Sequence, residues 1–160
     1  MKKQILAFVT VVALAVLVPA VLLALNNPSA GTWKLNTAMS KFSPDPEPQS
    51  LTLTLEAQDD GVKASTEGTA ADGSATAWSY TANYDGKDNP ISGTGPGGAD
   101  TIALKRINSN TTKSTFKKAG KVVRTSRLVV SKDGKVMTIT AKGTNANGQP
   151  VSDVLVFDKQ

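Results

Sequence analysis

The chain has 160 residues and a formal charge of +5, and it contains neither Cys nor His. That composition excludes disulfides, thiol nucleophiles, the commonest general base and the commonest transition-metal ligands together. Without Lys2 and Lys3 the balance is 16 basic against 13 acidic residues, too mild to imply a nucleic-acid partner.

Met1-Lys2-Lys3 precedes an apolar run from Ile5 to Leu25. A basic start followed by about twenty apolar residues addresses a chain to a membrane, as a signal peptide or as an N-terminal anchor helix. The run exceeds the roughly 7–15 residues of a usual signal core, which favours the anchor. Val18-Pro19-Ala20 and Pro28-Ser29-Ala30 offer small-residue cleavage patterns, and no Cys is present for lipid attachment. Lys2 and Lys3 stay on the cytoplasmic side by the positive-inside rule, which places the remainder outside. The expectation is a protein anchored by residues 5–25, or periplasmic or secreted if cleaved. Residues 1–30 then form the targeting segment and linker, and residues 31–160 one domain.

In Gly31-Thr32-Trp33-Lys34-Leu35-Asn36, Trp33 and Leu35 alternate with polar residues as in a half-buried strand. Pro44, Pro46 and Pro48 follow at every second position, which forbids a helix and leaves an extended surface strap, pinned by Phe42. Leu51, Leu53 and Leu55 then alternate with Thr52, Thr54 and Glu56. Asp59-Asp60-Gly61 turns the chain into Val62–Gly68, and Ala71-Asp72-Gly73 turns it into a strand with Thr76, Trp78, Tyr80, Ala82 and Tyr84 on one face. Asp85-Gly86 reads as a hairpin turn, Pro90–Ser92 as a short strand, and Gly93–Gly98 as a flexible connection. Strands over Thr101–Ile107, Thr111–Lys117, Val122–Ser131, Val136–Gly143 and Val151–Asp158 complete the series.

Ten strands in sequential antiparallel order leave two open edges unless the first, with Trp33, closes on the last, with Leu155 and Phe157. The expected fold is therefore all-β, an antiparallel up-and-down β-barrel of about ten strands behind one N-terminal hydrophobic helix. A two-sheet β-sandwich is the alternative.

Charge is segregated along the chain. Between Ser43 and Leu104 ten acidic residues face only Lys63 and Lys87, whereas Lys105–Lys132 carries nine basic residues and no acid. The two blocks can attract each other across the surface, or the basic block can meet an anionic ligand or lipid headgroups.

Gly-Thr-Trp-Lys-Leu at 31–35, the turn-rich meander and the closing Leu-Val-Phe-Asp-Lys at 155–159 resemble the lipocalin and fatty-acid-binding (calycin) superfamily. Trp78-Ser79-Tyr80, Tyr84-Asp85-Gly86-Lys87-Asp88 and Ser131-Lys132-Asp133-Gly134-Lys135 extend the resemblance towards exported bacterial proteins with lipocalin-like domains. The resemblance implies a barrel with Trp33 beneath it and a small apolar or amphipathic ligand within. It departs from the intracellular fatty-acid-binding proteins in two places. The strap replaces their helix pair, and Leu155 and Phe157 stand where those proteins carry a carboxylate-gripping Arg-x-Tyr.

Trp33, Leu35 and Phe157 are expected to be structural, and Trp33 to plug the floor. Trp78, Tyr80 and Tyr84 either line a ligand cavity or form ordinary core. Arg106 shares a face with Ile102 and Leu104. Arg124 and Arg127 lie on opposite faces of one strand, so one of them points inward and requires an anionic ligand or a carboxylate such as Asp153. The candidate ligand residues are thus Trp78, Tyr80, Tyr84, Arg106 and Arg124. No nucleophile elbow, calcium loop or phosphate loop occurs, so no catalytic residue, metal site or cofactor is expected, and the protein is not expected to be an enzyme. A non-catalytic structural or protein-interaction module with a packed interior is the competing reading. No partner protein is indicated.

Overall fold

The computed structural model describes residues 27–160; the apolar segment 5–25 and the helix expected there lie outside the described residues. Among the described residues no helix is long and apolar enough to cross a membrane.

The strands are β1 (Gly31–Leu35), β2 (Ser50–Ala57), β3 (Gly61–Thr69), β4 (Ala75–Asn83) and β5 (Asp85–Gly93), followed by β6 (Thr101–Asn108), β7 (Thr111–Lys118), β8 (Lys121–Val130), β9 (Val136–Thr144) and β10 (Pro150–Lys159). Each pairs antiparallel with its sequence neighbours, and β1 pairs with both β2 and β10, so the sheet closes as a ten-stranded barrel rather than a sandwich. Closure is set by Trp33 opposite Lys159 and Leu35 opposite Phe157. It satisfies backbone groups that an open edge would leave to solvent.

Period-two patterning does most of the work. On β2, Leu53 and Leu55 are buried while Glu56 is exposed. On β10, Val151, Asp153 and Phe157 are buried. Among the described residues, Trp33, Phe157, Ile102, Leu104 and Met137 are the large side chains buried almost completely, each stabilising the fold by roughly 1.5–3 kcal/mol through removal of apolar surface from water.

The strap follows β1 along β10 but is not extended throughout: a 3-10 turn at Thr37–Met39, ahead of the prolines, interrupts it. The amides of Asn36 and Lys41 donate to the Val156 and Val154 carbonyls at 2.8 and 2.7 Å, and Ser152 donates to the Ser43 carbonyl at 2.8 Å. It then leaves β10 through Pro44–Pro48 and meets the turns at one end of the barrel. There Asn145 Nδ2 donates to Asp45 Oδ1 at 2.8 Å, and Gln49 Nε2 donates to the Ala71 carbonyl at 3.3 Å. At the opposite end, Gln160 donates its amide to the Thr32 carbonyl and Tyr84 donates its amide to the Asp60 carbonyl.

The β4–β5 register, with Trp78 opposite Gly93 and Tyr80 opposite Ile91, centres on Asp85-Gly86, so the chain reverses there as the sequence indicates. The strand that follows is longer than expected: β5 starts at Asp85, and its pairing with β6 slips between Asp85 and Asp88. Gly86, at φ 80, supplies the left-handed backbone of that irregularity. Gly93 is the last residue of β5, opposite Trp78, and Pro96–Gly98 forms a 3-10 turn rather than a loose connection. A Cβ on Gly93 would lie 2.4 Å from the Ala77 carbonyl oxygen, so only glycine lets β4 and β5 approach there.

Of the two charge blocks, Lys117 and Asp88 join at 2.8 Å across the surface. Arg124 and Asp153 join at 3.1 Å with side chains only 15% and 4% exposed.

Candidate functional site

The barrel encloses a cavity of about 410 Å³, within the range of small-molecule sites. Its position follows from residue size. Register places Leu104, Ser114, Ser126, Ala141 and Asp153 side by side on β6 to β10. Three successive strands thus present Ser114, Ser126 and Ala141 at one level, and all three line the cavity. The volume that larger side chains would have filled is left open.

The facing walls are apolar. Leu51, Leu53 and Leu55 come from β2, Phe116 from β7, Leu128 from β8, and Leu155 and Phe157 from β10. From β4, Trp78 stacks on Tyr80 at 5.8 Å between ring centroids and meets Phe116 edge-on at 6.0 Å. Burial, with Tyr84 nearby adding to it, pushes the Tyr80 hydroxyl well above the ordinary tyrosine range, so it stays a neutral donor. The strap contributes Phe42, Asp45, Pro46 and Pro48, and the turn after β5 contributes Thr94 and Pro96.

One ion pair is set into this wall. Arg124 Nη2 donates to Asp153 Oδ2 at 3.1 Å, and Asp153 Oδ1 accepts the Ser43 amide at 3.1 Å. Arg124 Nε and Thr66 Oγ1 are buried without a hydrogen-bond partner among the described residues, and both residues line the cavity. Arg127, on the other face of β8, is exposed.

Trp78, Tyr80 and Arg124, among the residues singled out in the sequence, therefore meet at the cavity. Tyr84 and Arg106 do not line it. The Arg106 guanidinium lies 4.0 Å from the Tyr84 ring centroid, and the Tyr84 hydroxyl accepts from Asn27 Nδ2 at 3.3 Å. Asn27 Oδ1 in turn accepts the Ser29 hydroxyl at 2.7 Å, and the Ser29 carbonyl accepts Trp33 Nε1–H at 2.8 Å. Tyr84 and Arg106 thus connect to the cluster around Trp33. Parity on β8 places Ser126 on the face of Arg124, but it had no means of finding Asp45, Pro46, Pro48 or Ser114, because strap residues have no strand parity and small polar residues look the same on either face.

The site can enclose a small, largely apolar molecule and offer it a few fixed polar groups.

No family model matches the sequence, and no curated protein does. Among solved structures, zebrafish ileal bile acid-binding protein complexed with cholic acid is similar, with a TM-score of 0.51 at 12% identity, over 84% of this chain and 100% of that one. At that identity the likeness is one of architecture: the chain shares with that protein the closed antiparallel β-barrel.

Proposed function

We propose that the protein binds a small apolar or amphipathic molecule in its barrel, and that it does so outside the cytoplasm as an exported or membrane-anchored lipocalin-like protein. The observation that carries the binding reading is the apolar cavity of about 410 Å³ beneath the proline strap. A structural module with a packed interior would have no use for that opening, since an unfilled core forfeits packing energy. The neighbour in fold was crystallised with cholic acid, which supports the ligand class by analogy of fold. Lys2-Lys3 followed by the apolar run 5–25 supports the location, and with it the kinship to exported bacterial lipocalin-like proteins. The absence of Cys and His supports a carrier or sensor rather than an enzyme.

The test uses the full chain with Trp33→Phe, which leaves Trp78 as the only tryptophan. Titration with Nile red should give a saturable, one-to-one change in Trp78 emission. A folded protein with no saturable change rejects the binding reading.

A further inference from the structure

The polar groups of the cavity define the head group of its ligand, an inference that rests on the binding reading above. Among the described residues, three charged side chains line the space: Arg124, Asp153 and Asp45. Asp153 takes up the Arg124 charge at 3.1 Å, and Asp45 adds a second carboxylate from the strap. The wall therefore carries two carboxylates against one guanidinium. A ligand carboxylate placed here would lose its hydration and meet a cation already paired, with a net negative charge around it.

The cavity residues also hold hydrogen-bonding capacity that the protein leaves unused, on opposite sides of the barrel. Arg124 Nε–H on β8 and the Thr66 hydroxyl on β3 are both buried and unpartnered among the described residues. A buried donor without an acceptor is costly, and an uncharged oxygen satisfies it without adding charge. The geometry points to an uncharged amphiphile, carrying a hydroxyl, carbonyl or ester oxygen on an apolar body, as the class of ligand this cavity takes. Arg124 supplies the donor that fixes the oxygen, and Asp153 sets the preference for a neutral head by cancelling the guanidinium charge.

The experiment compares 1-dodecanol with dodecanoate at pH 7.5, each displacing Nile red from the full chain. The alcohol should compete at least about tenfold more strongly than the carboxylate, as expected where an added anion meets an already neutralised site. Asp153→Asn frees the Arg124 charge and should strengthen dodecanoate about tenfold while moving dodecanol by less than about threefold. Asp45→Asn removes the second carboxylate at a half-buried strap position and should narrow the ratio in the same direction; it supplies the reading if Asp153→Asn does not fold. A wild-type preference for dodecanoate, or a ratio unmoved by the folded variants, overturns the assignment and leaves the binding reading standing. Failure of Nile red and both dodecyl compounds to bind overturns both.

Discussion

Arg124 and Asp153 meet at 3.1 Å although their strands are not neighbours, because β9 runs between β8 and β10. Arg124 lies opposite Gly143, and Asp153 lies opposite Ala141. The two residues under the pair are thus the smallest available, and the side chains cross above β9 without obstruction. A Cβ on Gly143 would come within 2.6 Å of Arg124 Cα and 2.1 Å of the Val123 carbonyl oxygen, which ties the glycine to the close approach of β8.

With Arg124 15% exposed and Asp153 4% exposed, the pair is largely shielded from solvent. Asp153→Ala should therefore cost about 3–5 kcal/mol, chiefly by stranding the guanidinium. Replacing both, as Arg124→Met with Asp153→Leu, should recover most of that loss. Urea unfolding followed by far-ultraviolet circular dichroism distinguishes the two cases; equal losses in the single and double variants would contradict a paired role.

Trp33 is fully buried, donates its indole N–H to the Ser29 carbonyl at 2.8 Å, and has Lys159 Nζ 5.0 Å from its ring centroid. It joins the residues entering the barrel to the seam between β1 and β10. Trp33→Ala should cost about 3–5 kcal/mol from lost packing. Trp33→Phe should lose less, including about 0.5–1.5 kcal/mol for the hydrogen bond. A Trp33→Ala protein with an unchanged urea midpoint would remove Trp33 from its structural role.

Alternation of apolar and polar residues was enough to read the strands, their order and the closure through Trp33 and Phe157. Parity on β8 also separated Arg124 from Arg127 and pointed to Asp153. Alternation reports which face a side chain takes, however, and not its height along the barrel. Tyr84 and Trp78 share a parity, yet Tyr84 falls past the end of β4 and joins Arg106 and Asn27 away from the cavity. The length of β5 was hidden for a local reason: the turn at Asp85-Gly86 runs directly into the strand, where the pairing with β6 slips. The cavity itself was least legible, because an opening is made by what Ser114, Ser126 and Ala141 lack.

Tyr80 gives a pH prediction at the alkaline end. Its folded pKa is raised, mainly by burial, whereas an unfolded tyrosine titrates near about 10. Above that pH the unfolded chain releases the proton that the folded chain retains, so stability falls as pH rises. The contribution is absent below about pH 9 and approaches a slope of about 1.4 kcal/mol per pH unit above the unfolded pKa. Urea midpoints from pH 8 to 11 should fall less steeply for Tyr80→Phe than for the parent. Parallel curves would show that the Tyr80 hydroxyl is not held neutral by its surroundings.

The level formed by Ser114, Ser126 and Ala141 makes binding separable from folding. Ser126 points into the cavity from the middle of β8, between Ser114 and Ala141 on the flanking strands. Ser126→Phe directs a ring into existing space, where a filled void gains contacts that overpacking of a tight core would not. Its urea midpoint should stay equal to or above that of the parent, with a stability change of no more than about 1 kcal/mol. Nile red binding should weaken at least about tenfold, because the ring occupies volume that the ligand needs. Ser126→Ala keeps the volume and should bind the dye within about threefold of the parent. A stable Ser126→Phe protein with unchanged dye affinity would move the binding site away from the level of Ser114, Ser126 and Ala141.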